Sequence, residues 1–176
     1  MKVRAVPILL SMLATITLLF GGWFLYQKMQ VEEPLRSEIA EMKSAKLVGM
    51  QVSQEQLNVQ LEVTDPESFP VEYRELTTEI KRLAPGKAWT VEMTNQDPEL
   101  TAIWATGIFD LTEAIELHQY SKIPSLLNDW KQTHQLDEAK ARMDEQHVFI
   151  YLKRGNADFY KVVPRLVEER EVTARG

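Results

Sequence analysis

Between Arg4 and Lys28 the chain carries no charged side chain. The run Ala5 to Gln27 is 23 residues, dominated by Leu, Ile, Phe and Val. A bilayer core of about 30 Å needs roughly 20 helical residues, so this run is long enough to span one with some tilt. Pro7 stands near its start, where a helix tolerates proline. Trp23 and Tyr26 stand near its far end, where amphipathic rings favour the membrane interface. A cleaved signal peptide would have a shorter apolar region followed by small residues. Here the run is longer and ends on the bulky Trp23-Phe24-Leu25-Tyr26, with the small Gly21 and Gly22 inside it. A helix packed on the core of a small domain would carry a polar face toward water, and this run has none. The expectation is an uncleaved signal anchor over residues 5–27, with the lipid bilayer as its partner.

The flanks set the expected orientation. Lys2, Arg4 and the amino terminus stand on the near side; Lys28, then Glu32 and Glu33, stand on the far side. Positive charge favours the cytoplasm, so residues 1–4 are expected inside the cell and the rest of the chain outside, as a single-pass protein of the cell membrane. Residues 1–27 hold two of the 20 basic side chains and none of the 26 acidic ones. Without them the net charge moves from −6 to −8. Nucleic acid is an unsuitable partner for such a domain, because duplex binding wants clustered positive charge. An anionic membrane or anionic wall polymers should be repelled by it unless cations bridge them. The chain of 176 residues has no cysteine, which removes disulfides, thiolate nucleophiles and Cys-based zinc sites.

Beyond the anchor, Leu35, Ile39 and Met42 recur at helical spacing after Pro34, which predicts a helix over about 34–45. Residues 28–46 are read as a helical stalk that either continues the anchor or lies back on the domain. Residues 47–165 read as one extracytoplasmic domain. Val48, Met50 and Val52 alternate, as do Leu57, Val59, Leu61 and Val63, which predicts a hairpin turning at Ser53-Gln54-Glu55-Gln56. Tyr73, Leu76, Ile80 and Leu83 mark a helix stopped by Ala84-Pro85-Gly86. Trp89, Val91 and Met93 alternate as a strand. Asp97-Pro98 opens a helix with Leu100, Ile103 and Trp104 on its apolar face. Gly107 is expected to end it, with a second helix from Asp110 or Thr112 that places Leu111, Ala114, Ile115 and His118 on one face. Ser125 to Thr133 adds a short helix after Pro124. Val148 to Val163 reads as a hairpin around Gly155-Asn156, with residues 139–143 as a strand pairing to 147–153. Residues 166–176 form a charged tail. The fold expected is α+β: an N-terminal transmembrane helix, then a two-layer domain of mainly antiparallel strands with helices on one face.

No constellation of catalytic residues emerges. His118, His134 and His147 lack the spacing of a metal motif. Asp110, Glu113 and Glu116 fit a solvated helix edge better than a carboxylate pair held in a cleft. Trp89, Trp104 and Trp130 occupy apolar-face positions and suit core packing better than a ligand platform. No catalytic, cofactor-binding or metal-binding residue is therefore assigned, and no cofactor is expected.

The charged-then-apolar start, the alternating run Gln56 to Val63, the Ala105-Thr106-Gly107-Ile108-Phe109 junction and the final Val148 to Val163 hairpin together resemble uncharacterised single-pass membrane proteins of Gram-positive spore-forming bacteria. The resemblance covers much of the chain and implies a single-pass anchored plan, with no active site carried over. The function expected is a membrane-anchored extracytoplasmic binding or assembly domain without catalysis, engaging a protein partner or a second copy of itself. The alternatives are an anchored cell-envelope hydrolase and a small-ligand sensor.

Overall fold

A computed structural model of the chain describes residues 5–165, with side chains from residue 9 onward. The flanking charges Lys2 and Arg4 and the charged tail 166–176 lie outside the described residues. The first helix, α1 (Ala5–Gln27), runs without a break through a π turn (Lys28–Glu32) into α2 (Glu33–Glu41). Pro34 explains the π turn. It has no N–H to give and displaces the carbonyl one turn back, and the wider turn accommodates both effects. By length and composition this rod can cross a membrane. From Leu9 to Tyr26 all its side chains are exposed.

The architecture is α+β, with that long apolar helix and two small three-stranded sheets. The first sheet holds β1 (Ala45–Val52), β2 (Gln56–Val63) and β3 (Ala88–Met93). β1 and β2 pair antiparallel with a bulge at Val48. β2 and β3 pair in parallel, joined by the crossover helix α3 (Phe69–Leu83). Two helices follow, α4 (Pro98–Glu116) and α5 (Ile123–Thr133). The second sheet is an antiparallel meander of β4 (Glu138–Met143), β5 (His147–Arg154) and β6 (Ala157–Pro164). The turn between β5 and β6 has Gly155 at φ +60°, the left-handed conformation such a hairpin requires.

The core explains the layering. Leu57, Val59, Leu61 and Val63 line one face of β2 and pack with α3 and α2. Phe149 and Tyr160 belong to this same cluster, and Phe69 and Tyr73 of α3 meet them edge-on. The alternate residues Val148, Ile150, Leu152 and Phe159 face the other way and pack with α4 and α5. Strands β5 and β6 therefore form a wall shared by two cores. This corrects the expected two-layer plan with helices on one face. The second sheet is covered on both sides because β5 is apolar at successive positions, and not only at alternate ones.

Two further expectations change. α4 does not end at Gly107. The helix continues to Glu116, and Gly107 is buried where the Trp130 ring of α5 lies so close that a Cβ would collide with it. Its small size serves helix packing, and no left-handed turn is involved. His118 is not on the buried face of α4 either. It lies past the helix end with φ +55°, exposed, against the Tyr120 ring. Residues 28–41 continue α1 and also lie back on the domain, with Val31, Leu35 and Ile39 5%, 0% and 1% exposed in the first core cluster.

Candidate binding groove

The Asn95-Gln96-Asp97 segment between β3 and α4 joins the two sheets by hydrogen bonds. Asn95 is buried. Its Oδ1 accepts the Val63 N–H at 2.7 Å, and its Nδ2 donates to the Val63 carbonyl at 3.0 Å. The side-chain amide thus stands in for the peptide group that a continuing β3 would have offered to β2. Nδ2 also donates to Asp158 Oδ2 at 2.8 Å, reaching the second sheet. Gln96 bridges Phe159 in antiparallel register. The Tyr160 N–H donates to the Asn95 carbonyl at 2.9 Å, and the Asp97 N–H to the Asp158 carbonyl at 3.2 Å. Asp97 then caps α4, its Oδ1 accepting the N–H groups of Glu99 and Leu100.

Beyond this clasp β3 and β6 part, leaving a groove of about 450 Å³ lined by Val91, Met93, Gln96, Tyr160 and Val162, among others. The direction of the backbone groups follows from strand alternation. The N–H groups of Ala88 and Thr94 point to β2, so those of Trp89, Val91 and Met93 point into the groove. The Tyr160 N–H points to the clasp, so Val162 also points into the groove. On the β6 side, Gln96 Nε2 already occupies the Tyr160 carbonyl at 2.8 Å. Two facing strand edges are therefore open.

The other two edges carry the usual protections against strand addition. β1 has its bulge at Val48. β4 alternates Glu138, Lys140 and Arg142, which pair with one another and with Glu67. Neither β3 nor β6 has a bulge in its pairing. The charges near the groove are one of each sign, Glu92 and Lys161. What the groove can do chemically is pair backbone to backbone with an extended segment.

Residues singled out in the sequence do not converge. His118, His134 and His147 sit after α4, after α5 and at the start of β5. His147 Nδ1 lies 3.6 Å from Asp144 Oδ1, and its ring packs against Tyr73 and Phe149. Asp110, Glu113 and Glu116 are exposed along α4. Trp104 and Trp130 are buried and meet edge-on, while Trp89 is half-buried under Lys81. Among the described residues, no group of three or more His, Asp or Glu could hold a metal ion.

Two polar residues that the sequence did not single out tie elements of the fold together. One is Asn95. The other is Glu72, whose carboxylate accepts the Ser44 hydroxyl and the N–H groups of Lys43 and Ser44, tying α3 to the α2–β1 turn. Burial alone would raise its carboxyl; those three donors outweigh burial and hold it below the usual carboxylate range. Burial pushes Tyr73 up to about 12, with Asp144 adding to the shift, and pushes Tyr160 up as well. Compared with family models, curated proteins and solved structures, the chain matches none.

Proposed function

We propose that this chain is a single-pass membrane protein whose extracytoplasmic domain binds a partner, or a second copy of itself, without catalysing a reaction. One observation carries the reading: the membrane-length helix runs into the core of the domain with no linker, burying Val31, Leu35 and Ile39. A domain mounted this way is held at a fixed height and angle above the bilayer, which suits presenting a surface rather than reaching for a diffusing substrate. The groove between β3 and β6 is the surface it presents, and strand addition is its mode of binding. The N-terminus lies in the cytoplasm, on the argument from Lys2 and Arg4.

The test has two parts. A reporter active only outside the cytoplasm, fused after Gly176, should be active; activity from a cytoplasm-only reporter at the same site would reverse the topology. A photo-crosslinking residue at Val162 should give a discrete adduct in native membranes. Val91→Pro removes a groove-facing N–H while leaving the bonds to β2 in place, and should abolish that adduct. An adduct that survives Val91→Pro would exclude the groove as the binding edge.

A further inference from the structure

A second concave site lies at the other end of the domain, where α1 meets it. The turn after α3, Ala84-Pro85-Gly86-Lys87, and the β1–β2 turn at Gln54 face the last turns of α1, enclosing a niche of about 480 Å³. Its floor is apolar, from Val31, Leu83 and Ala84. One wall is aromatic, Trp23 and Tyr26, stacked with ring centres 6.2 Å apart. Gln27 Nε2 donates to the Ser53 carbonyl at 2.8 Å and pins the helix to the β1–β2 turn. Lys87 Nζ reaches the carbonyls of Ser53 and Gln54 at the same turn. The charged residues lining the niche are Arg82 and Lys87, both cationic. Arg82 is shared with Glu79 on the same helix, outside the niche. The net positive charge is then close to one.

The position of this niche is set by the rod. The 23 residues of α1 rise about 34 Å, close to the thickness of a bilayer core. Trp23 and Tyr26 then lie at headgroup depth, and a niche walled by them opens onto the headgroup layer. A site with an aromatic wall, glutamine amides and about one unit of positive charge fits a phosphodiester. No carboxylate lines it, so a headgroup that carries an ammonium beside its phosphate finds no counter-charge there.

We infer that this niche holds the phosphate of an anionic phospholipid, with Lys87 and Arg82 as its cationic partners and Trp23 and Tyr26 against the glycerol and upper acyl chain. The inference rests on the anchored reading above. It locates attraction to an anionic membrane at one point of a domain whose overall charge is negative.

The test uses the full chain in phosphatidylcholine vesicles containing spin-labelled phosphatidylglycerol or spin-labelled phosphatidylcholine. The fraction of each label immobilised by the protein is measured by electron paramagnetic resonance. One net charge at the surface predicts about fivefold preference for phosphatidylglycerol. Lys87→Gln with Arg82→Gln should remove the preference, and Lys87→Arg should keep it. Circular dichroism confirms that the variants are folded, and Lys131→Gln on α5, outside the niche, should change nothing. Equal immobilisation of the two lipids, or a preference that survives the double substitution, overturns the inference. Millimolar inorganic phosphate should leave the preference in place; its loss would assign the niche to a soluble phosphate and overturn the lipid. Flotation on pure phosphatidylcholine vesicles tests the anchor separately. A chain that fails to float overturns both readings, whereas one that floats without preference overturns the niche alone.

Discussion

Asn95→Ala removes the side-chain part of the clasp between the sheets at a single amide. The parent side chain satisfies both the N–H and the C=O of Val63, a residue 4% exposed, and also reaches Asp158. Alanine leaves the two Val63 backbone groups buried without partners. An orphaned buried polar group costs about 1–3 kcal/mol, so the pair costs about 2–6 kcal/mol. Domains of this size have about 5–15 kcal/mol in total, which makes the loss a large share. Asn95→Asp should be no better at neutral pH, because it keeps the acceptor, loses both donated bonds and sets a second carboxylate against Asp158. The assay is urea unfolding of the full chain in detergent micelles, followed by its tryptophan fluorescence. The midpoint should fall while the slope stays constant. Asn95→Ala with the parent's midpoint would refute the reasoning, since Val63 would then have found other partners and the clasp would hold nothing.

Gly107→Ala should destabilise by about 1–3 kcal/mol, because the added methyl collides with the Trp130 ring at the α4–α5 crossing; a thermal melt unchanged from the parent would show that the ring can move aside. Stability should fall in acid as the Glu72 clasp is lost. Its carboxyl is held below its ordinary value of 4.5, so the contribution is complete above the unfolded carboxyl's range and disappears as pH falls through the folded value. Glu72→Gln should remove that part of the acid sensitivity, read as a flatter dependence of the urea midpoint on pH below 4.5.

The elements were legible wherever one residue pattern decided them. The period-two run of β2, the Gly155-Asn156 turn and the stripe Tyr73, Leu76, Ile80 each report local burial, and local burial is what periodicity encodes. The paired strand at 139–143 was also legible, although its apolar content is slight. The relation between elements was not. Gly107 looks the same in sequence whether it ends a helix or admits Trp130, and the ring that decides it is 23 residues away. Asn95 is one polar residue in a turn-like Asn-Gln-Asp-Pro stretch, and its partners Val63 and Asp158 are 32 and 63 residues distant. Leu35 and Ile39 read correctly as a helical stripe, but the stripe could not say which surface it meets. The groove escaped for the same reason: an open edge is defined by the strand that is missing beside it.

The central claim is that the membrane-length helix is continuous with the core, and amide hydrogen exchange on the full chain in lipid nanodiscs tests it most directly. If Val31 to Ile39 are part of the core, their amides should exchange only through global unfolding, as slowly as those of Leu57 to Leu61 in β2. Exchange of Val31 to Ile39 through local opening, orders of magnitude faster than β2, would mean that the rod is a stalk which frays independently. It would also contradict the fixed mounting of the domain on which the proposed function rests.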